Sequence, residues 1–260
     1  MNSLAEPKKW EKFFWPLLAS ALFLALWHYS VAWTATKIFP SPHNVGKGIA
    51  ELFRKQVLWK DIIDSLRRVA IGFGAAAFIG IPLGLTLGWY PSANRVVNPV
   101  LQILRPISPI AWIPVAIILL GVGDHEATSL IFLGAFFPIV VACVDGVTNV
   151  PSVFRLAGRN FGLSPARMLT HVVFPAALPK IIVGLRIALG IAWLVVVAAE
   201  MVAVDSGLGY LVIDSRNSGK RYDLVVAAML MIGLIGLILD TAFRRLEKIK
   251  SVRWGFRDES

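Results

Sequence analysis

Residues 65–89 read SLRRVAIGFGAAAFIGIPLGLTLGW, and this stretch decides the fold class. After Arg68 it carries no charge as far as Trp89, and about 20 mostly apolar residues are enough to cross a hydrocarbon core roughly 30 Å thick. Small residues recur at every fourth position, which places them on one helix face and lets a second membrane helix approach closely. The pattern predicts a transmembrane helix with a packing face formed by Gly72, Ala76, Gly80, Gly84 and Gly88.

The rest of the chain has the same apolar character. Of its 260 residues 57% are hydrophobic and 16% are charged, whereas about a quarter are charged in a typical soluble domain. The apolar runs predict an all-α integral membrane protein with about six transmembrane helices, at residues 13–36, 65–89, 101–121, 129–147, 181–204 and 224–243. The first run follows three lysines as a secretory signal does, but it is longer than the roughly 7–15 apolar residues of a signal, so we expect an uncleaved span.

Charge and cysteine content exclude two other classes of protein. The net charge is +10, yet the basic residues are scattered between apolar runs and at the chain ends, whereas nucleic-acid binding favours one basic patch. Cys143 is the single cysteine, so the chain has no internal disulfide, and no Cys/His cluster suggests a metal or redox centre. We expect no nucleic-acid partner and no metal, and Cys143 as a small apolar filler inside a helix.

Residues 37–64 form a more polar segment between the first two spans. Two prolines open it, and an apolar series at helical spacing predicts an amphipathic helix lying flat on the membrane; its apolar residues are Val45, Ile49, Leu52 and Phe53. Lysine and arginine are retained in the cytoplasm, and their distribution favours both termini inside. Residues 1–12 and the basic tail 244–260 are then cytoplasmic, and residues 37–64 are periplasmic.

The predicted third span, residues 101–121, contains Pro106, Pro109 and Pro114. Each proline removes a backbone donor, so this span is kinked or broken and its freed carbonyl groups need neighbouring helices or a water-filled path. A broken membrane helix favours a transport site nearby.

Residues 148–180 are too polar for a span, yet they are patterned as two short helices. Gly162 can end the first helix in a left-handed conformation, and Ser164-Pro165 is typical of an N-cap followed by proline at the first helical position. An apolar side is predicted from Phe154, Leu156, Ala157 and Phe161. Such a helix pair can dock into a groove of a soluble partner or lie as an elbow on the lipid headgroups, and the residues alone leave both readings open.

The same segment resembles the cytoplasmic loop motif of binding-protein-dependent permeases. That motif is Glu-Ala-Ala, three residues, Gly, nine residues, then a hydrophobic residue, any residue, Leu and Pro. Its positions after the Glu are occupied here by Ala157, Gly158, Gly162, Val172, Phe174 and Pro175. Leu156 stands where the motif has Glu, which removes any salt bridge of that Glu but leaves the helix-turn-helix. The resemblance implies a coupling helix that contacts an ATPase subunit through Leu156, Ala157, Gly158, Gly162, Leu163, Ser164 and Pro175.

Further stretches are similar to the nitrate, sulfonate, taurine and bicarbonate permeases of ATP-binding-cassette (ABC) importers. They are Ser65-Leu66-Arg67-Arg68, residues 80–84, residues 104–109, and Ala198-Ala199-Glu200 followed by Gly207-Leu208-Gly209. The resemblance implies the type I importer fold, a permease homodimer, two cytoplasmic ATP-binding subunits and a periplasmic solute-binding protein. It also implies a multi-pass protein of the bacterial inner membrane that moves a small anion.

The chain has no G-x-x-x-x-G-K-[ST] phosphate loop and no catalytic grouping of side chains. We therefore expect a non-enzyme without cofactors, whose ATP is bound by a partner subunit. A stand-alone secondary transporter or channel would show internal repeats or paired intramembrane charges, and a membrane enzyme would show converging His, Asp or Glu residues. Candidate pathway residues are Glu200, which could equally form an ion pair or a cap, and Arg186, which could instead anchor the inner end of its span.

Overall fold

The computed structural model describes residues 11–34 and 39–247, and in these ranges every regular element is a helix. The helices are α1 Glu11–Thr34, α2 Pro42–Arg54, α3 Val57–Trp89, α4 Pro91–Leu104, α5 Ile113–Leu120, α6 Asp124–Thr148, α7 Ser152–Asn160, α8 Pro165–Met168, α9 Phe174–Ala203, α10 Leu208–Asn217 and α11 Tyr222–Glu247. A 3₁₀ turn, Pro109–Trp112, precedes α5, and a π-helical turn, Leu169–Val173, joins α8 to α9. Most of the predicted terminal segments 1–12 and 244–260 lies outside the described residues.

Four helices are long and apolar enough to cross a membrane. They are α3, α6, the continuous helix Pro165–Ala203 and α11, and the pair Pro91–Leu104 and Pro109–Leu120 passes the same test only with a bend of 82°. In α1 the apolar part is the shorter helix Leu17–Trp33. The fold is that of an all-α membrane protein, as predicted.

The small-residue face of α3 lies against α6. A Cβ atom added to Gly84 would lie 2.5 Å from Cys143 Cβ and 2.7 Å from the carbonyl oxygen of Val140, so the two backbones are in direct contact. The successive neighbours of Gly72, Gly80, Gly84 and Gly88 on α6 are Ile131, Ile139, Cys143 and Val147. Residue numbers rise together along both helices, so α3 and α6 are parallel.

This parallel packing determines how the chain crosses between the two helices. Since α3 and α6 start at the same side of the bundle, the chain must return across the membrane between Trp89 and Asp124. The bent segment of α4, the 3₁₀ turn and α5 is therefore one broken crossing. The predicted span 101–121 is wrong in its bounds, because α4 already begins at Pro91 and the helix ends at Leu104, two residues before Pro106.

Helix α9 runs antiparallel to both α6 and α11. Gly184 contacts Ala142, and further along α9 the Trp193 indole N–H donates to the carbonyl oxygen of Ile232 at 3.1 Å. The bundle thus has two ends. We call the end with the first turns of α3, α6 and α11 the Arg68 end, and the opposite end, where α7 lies, the Arg186 end.

Helix α2 covers the Arg68 end. The predicted amphipathic helix is present, but its apolar face packs inward, with Val45 and Leu52 buried, whereas it was expected to lie flat on the membrane. Arg221, just before α11, bonds the Glu51 carboxylate at 2.7 Å, and hydrogen bonds from Arg221 and Lys55 lower the pKa of Glu51 to about 2. The predicted loop boundary at residue 64 is also wrong, because α3 begins at Val57.

Candidate coupling surface and buried polar cluster

Helix α7 ends in a hydrogen-bonded glycine turn. Gly162 has a φ of +69°, the left-handed conformation that glycine adopts without steric cost. Its N–H donates to the carbonyl oxygen of Arg159 at 2.9 Å, and the Leu163 N–H donates to that of Gly158 at 3.1 Å. These two bonds form a Schellman motif, which satisfies the last carbonyl groups of the helix.

The second helix starts where the sequence predicts it. The Ser164 hydroxyl accepts from the Arg167 N–H at 3.5 Å, and Pro165 occupies the first helical position. The helix does not end before the predicted fifth span, residues 181–204, because α8, the π turn and α9 continue as one helix to Ala203. Pro175 lies inside this continuous helix, two residues after the π turn Leu169–Val173, and it removes one backbone donor there.

Two contacts hold α7 against the bundle. Gly158 packs on the side chain of Met168, since a Cβ atom at Gly158 would lie 2.6 Å from Met168 Cε. The Arg155 guanidinium donates to the Val147 carbonyl oxygen at 3.0 Å and to two further carbonyl oxygens, of Thr148 and Val150, at 3.4 Å. Arg155 thereby caps the C-terminal end of α6, a position that favours a cation. Displacing α7 would therefore displace α6 and α8.

The outer surface of α7 and its end carries exposed apolar side chains beside the exposed polar residues Arg159 and Asn160. Leu156 is 56% exposed and Phe161 is 85% exposed. Ala157 is also exposed, whereas Gly158 is buried and Leu163 is partly buried. Because Leu156 stands at the Glu position of the motif, it extends the apolar patch. Large apolar side chains exposed next to one another are typical of a protein-binding surface.

A buried cluster of polar side chains lies at the Arg68 end. Arg68, 3% exposed, donates from Nη1 to Glu200 Oε1 at 2.7 Å and from Nε to Asp124 Oδ1 at 2.7 Å. Its Nη2 donates to the Ser206 hydroxyl at 2.7 Å. One guanidinium thus joins α3, α6, α9 and the α9–α10 loop, with both buried charges paired.

The same cluster holds the α9–α10 loop through its backbone. The N–H groups of Gly207, Leu208 and Gly209 donate to Asp61, Ser65 and Glu200, at 3.0, 3.0 and 2.9 Å. Gly207 has a φ of +106°, and a Cβ atom there would collide with the Glu200 carboxylate. Glycine is therefore required at position 207.

Both predicted pathway residues are engaged in ion pairs, Glu200 in the last turn of α9 and Arg186 near the middle of that helix. Glu200 is 0% exposed and accepts from Arg68, Ser65 and the Gly209 N–H. Arg186 pairs with Asp240 on α11 at 2.5 Å and with Glu247 at 3.3 Å. The structure therefore supports the ion-pair alternative for Glu200, and it joins Arg186 to α11.

Sequence reasoning missed most of the polar cluster. Asp61, Ser65 and Arg68 are spaced four and three residues apart, so their position on one face of α3 was a usable signal. Glu126 was also missed, and it is 0% exposed, with no hydrogen-bond partner among the described residues for either carboxylate oxygen. Within the same residues, no three His, Cys, Asp or Glu side chains converge to hold a metal ion.

A family model described as "Binding-protein-dependent transport system inner membrane component" matches residues 80–251. The chain belongs to this family. The permease is 32% identical over 240 residues to the taurine transport system permease protein TauC of Escherichia coli (strain K12). This alignment covers 88% of this chain and 85% of TauC. It is 34% identical over 243 residues to the nitrate import permease protein NrtB of Synechocystis sp.. This alignment covers 90% of this chain and 88% of NrtB.

Solved structures agree on the fold of the permease. A chain of the MetNI methionine ABC transporter, in an inward-facing conformation, superposes with a TM-score of 0.65 at 20% identity, and covers 75% of this chain and 96% of its own length. The permease therefore has the type I importer fold. It is a multi-pass membrane component of an ABC transporter, and its family implies an ATP-binding subunit and a solute-binding protein as partners.

Proposed function

We propose that this permease carries a small anion of the nitrate, sulfonate or taurine, and bicarbonate class across the bacterial inner membrane. It acts as a homodimer with two cytoplasmic ATP-binding subunits and a periplasmic solute-binding protein. The observation that carries the proposal is α7, a short helix with an exposed apolar face that is clamped onto two membrane helices.

The contacts of α7 with α6 and with Met168 explain how a conformational change in a separate ATPase would move the membrane helices. A subunit docked on Leu156 and Phe161 moves α7 as it closes on ATP. Arg155 transmits this movement to α6, and the contact of Gly158 with Met168 transmits it to α8 and α9. Packed helices move as rigid bodies between discrete arrangements, so a push on α7 shifts the bundle between two states.

The substrate class is supported by the names of the relatives. TauC is a taurine permease and NrtB a nitrate permease, and a sulfonate and a nitrate are both small oxyanions. Selection among such anions belongs to the solute-binding protein in this proposal. The Arg186 end with α7 faces the cytoplasm, and the Arg68 end with α2 faces the binding protein.

A matched pair of aspartate variants tests the coupling. Ala157 lies on the exposed face of α7, and Ala93 is an exposed alanine of α4 on the same side of the membrane. We expect Ala157→Asp to lose the co-purifying ATP-binding subunit and the ATP-driven uptake of nitrate, taurine or bicarbonate into proteoliposomes. Ala93→Asp should keep both, and both variants should insert into the membrane normally.

Two results would contradict the proposal. Normal uptake by Ala157→Asp would show that α7 is not the docking helix. A wild-type chain that purifies alone and transports in ATP-free vesicles would instead be a secondary transporter.

A further inference from the structure

The broken crossing encloses a cavity of about 210 Å³. Helix α4 ends at Leu104, the chain bends by 82°, and the 3₁₀ turn starts at Pro109. Arg105 and Trp112 line the cavity from the bend, and it is closed by apolar residues of α6 and α9. Its volume is below the roughly 300–1,000 Å³ of sites for drug-sized ligands, so it suits a molecule of a few heavy atoms.

The cavity lies beside the midpoints of α6 and α9. Its α6 wall includes Gly134 and Pro138, which flank the midpoint of that helix, and its α9 wall includes Ile187 and Ile191, which flank the midpoint of α9. The bend itself packs there, since a Cβ atom at Gly134 would lie 3.4 Å from Pro109 Cγ.

Two hydrogen-bond donors of this cavity are free. Neither the Arg105 guanidinium nor the Trp112 indole N–H donates to an acceptor in residues 11–34 or 39–247, and Arg105 is exposed while Trp112 is partly buried. No carboxylate lines the cavity. An unpaired arginine at membrane depth is costly unless it faces water or a counter-ion.

A second cavity, of about 330 Å³, adjoins this one on the side of α7 and shares Ile187 with it. It is lined by Asp145 on α6, by Asn149 just after α6, and by Lys180 and Gly184 on α9. We call the two cavities together the groove, which follows α6 and α9 from their midpoints toward α7. Ile187 is the side chain between them.

We propose that Arg105 and Trp112 bind the permeating anion at the broken crossing, and that the anion leaves past Ile187 along this groove. The inference rests on the proposed function and adds the place where the substrate is held. The guanidinium fork suits two oxygen atoms of a nitrate, carbonate or sulfonate group, and the indole N–H supplies a further donor. A site with one charge and apolar walls holds an anion weakly enough to release it, as conduction requires.

Chemical modification of one cysteine variant gives a direct test. Cys143, the only native cysteine of this chain, is buried, so within the permease a thiol reagent should react only with an added cysteine. In the complete transporter, reconstituted with its ATP-binding subunits and binding protein, Arg105→Cys should lower anion uptake about tenfold. A methanethiosulfonate that attaches a trimethylammonium group should restore much of it, and one that attaches a sulfonate group should not. ATP hydrolysis should stay within about twofold throughout, because the site is remote from α7.

Charge-preserving and remote variants are the controls. Arg105→Lys should keep more uptake than Arg105→Gln, and Arg95→Gln, in the α4 helix that ends just before Arg105 but outside the cavity, should behave as wild type. Wild-type uptake by Arg105→Gln, or equal rescue by the two reagents, would overturn the inference and leave the proposed function standing. A wild-type transporter that imports none of nitrate, taurine and bicarbonate would refute the proposed function and this site with it.

Discussion

Replacing Glu200 by glutamine should destabilise the permease by about 3 kcal/mol. Removing one partner of a buried ion pair costs about 3–5 kcal/mol, and we take the lower value because Asp124 remains beside Arg68 at 2.7 Å. The glutamine amide can accept from Arg68, but its NH₂ group then faces Ser65 and the Gly209 N–H. A buried donor left without an acceptor costs about 1–3 kcal/mol, which lies within the same range.

Cys143 provides the assay. Its side chain is 0% exposed and lies in the contact between α3 and α6, so a thiol reagent can reach it only when these helices separate. When opening is fast compared with labelling, the labelling rate follows the open population. A loss of 3 kcal/mol should therefore raise the rate roughly 100-fold, since every 1.4 kcal/mol is a factor of ten.

The control is Glu51→Gln, which removes a carboxylate from an exposed ion pair. This pair joins α2 to the start of α11 and lies outside the contact between α3 and α6 that covers Cys143, so the labelling rate should stay close to that of the wild type. If Glu200→Gln raised the rate by less than about fivefold, roughly 1 kcal/mol, the polar cluster would not be the main tie between α3 and α9. Hydrogen bonds between neutral groups of two membrane helices contribute about 0.6 kcal/mol on average. The limit of about fivefold therefore distinguishes the loss of a charged pair from the loss of a neutral hydrogen bond.

Three further outcomes follow from other contacts. Gly84→Ala should lower stability by about 1–3 kcal/mol in thermal unfolding because its Cβ meets the α6 backbone, whereas Gly74→Ala, with nothing within 4 Å, should not. Arg155→Gln should reduce anion uptake several-fold while ATP hydrolysis continues, because α7 loses its cap on α6. Glu51 has a lowered pKa of about 2, so its contribution to stability is complete above its ordinary 4.5 and is lost as the pH falls toward 2; the difference in melting temperature between wild type and Glu51→Gln should shrink over that window.

Each of these outcomes can fail in its own way. Equal melting temperatures for Gly84→Ala and Gly74→Ala would mean that α3 and α6 separate at little cost. Uptake and hydrolysis that fall together in Arg155→Gln would point to lost assembly of the transporter. A melting-temperature difference that does not change below pH 4.5 would remove Glu51 from the contact of α2 with α11.

The elements that sequence predicted best depend on local chemistry. The glycine turn at Gly162 and the cap at Ser164 need only the conformational preferences of those residues, and both are where the pattern placed them. Apolar run length gave the membrane helices, although it placed the start of α3 at Ser65. Charged residues between 57 and 64, Asp61 among them, made those first turns look like a loop, because the partner of Asp61 was not visible in the local sequence.

Contacts between distant segments could not be predicted. Arg68 and Glu200 are 132 residues apart in the chain, and no local pattern states that they meet. The break at Arg105 was signalled by the prolines, but its packing against the middle of α6 depends on the parallel arrangement of α3 and α6. Glu200 was correctly singled out as costly, and only its neighbours show that the cost is offset by an ion pair.

The unbroken helix from Pro165 to Ala203 has a mechanical consequence. Its 39 residues measure about 58 Å at 1.5 Å per residue, nearly twice the roughly 30 Å of a hydrocarbon core. In the proposed mechanism, a movement imposed by the ATP-binding subunit near Met168 would be carried along this helix through the bilayer to Ala203, one turn past Glu200 and its ion pair with Arg68. The π-helical turn Leu169–Val173 directly follows Met168, so any bending at this turn would reduce the movement that reaches Ala203.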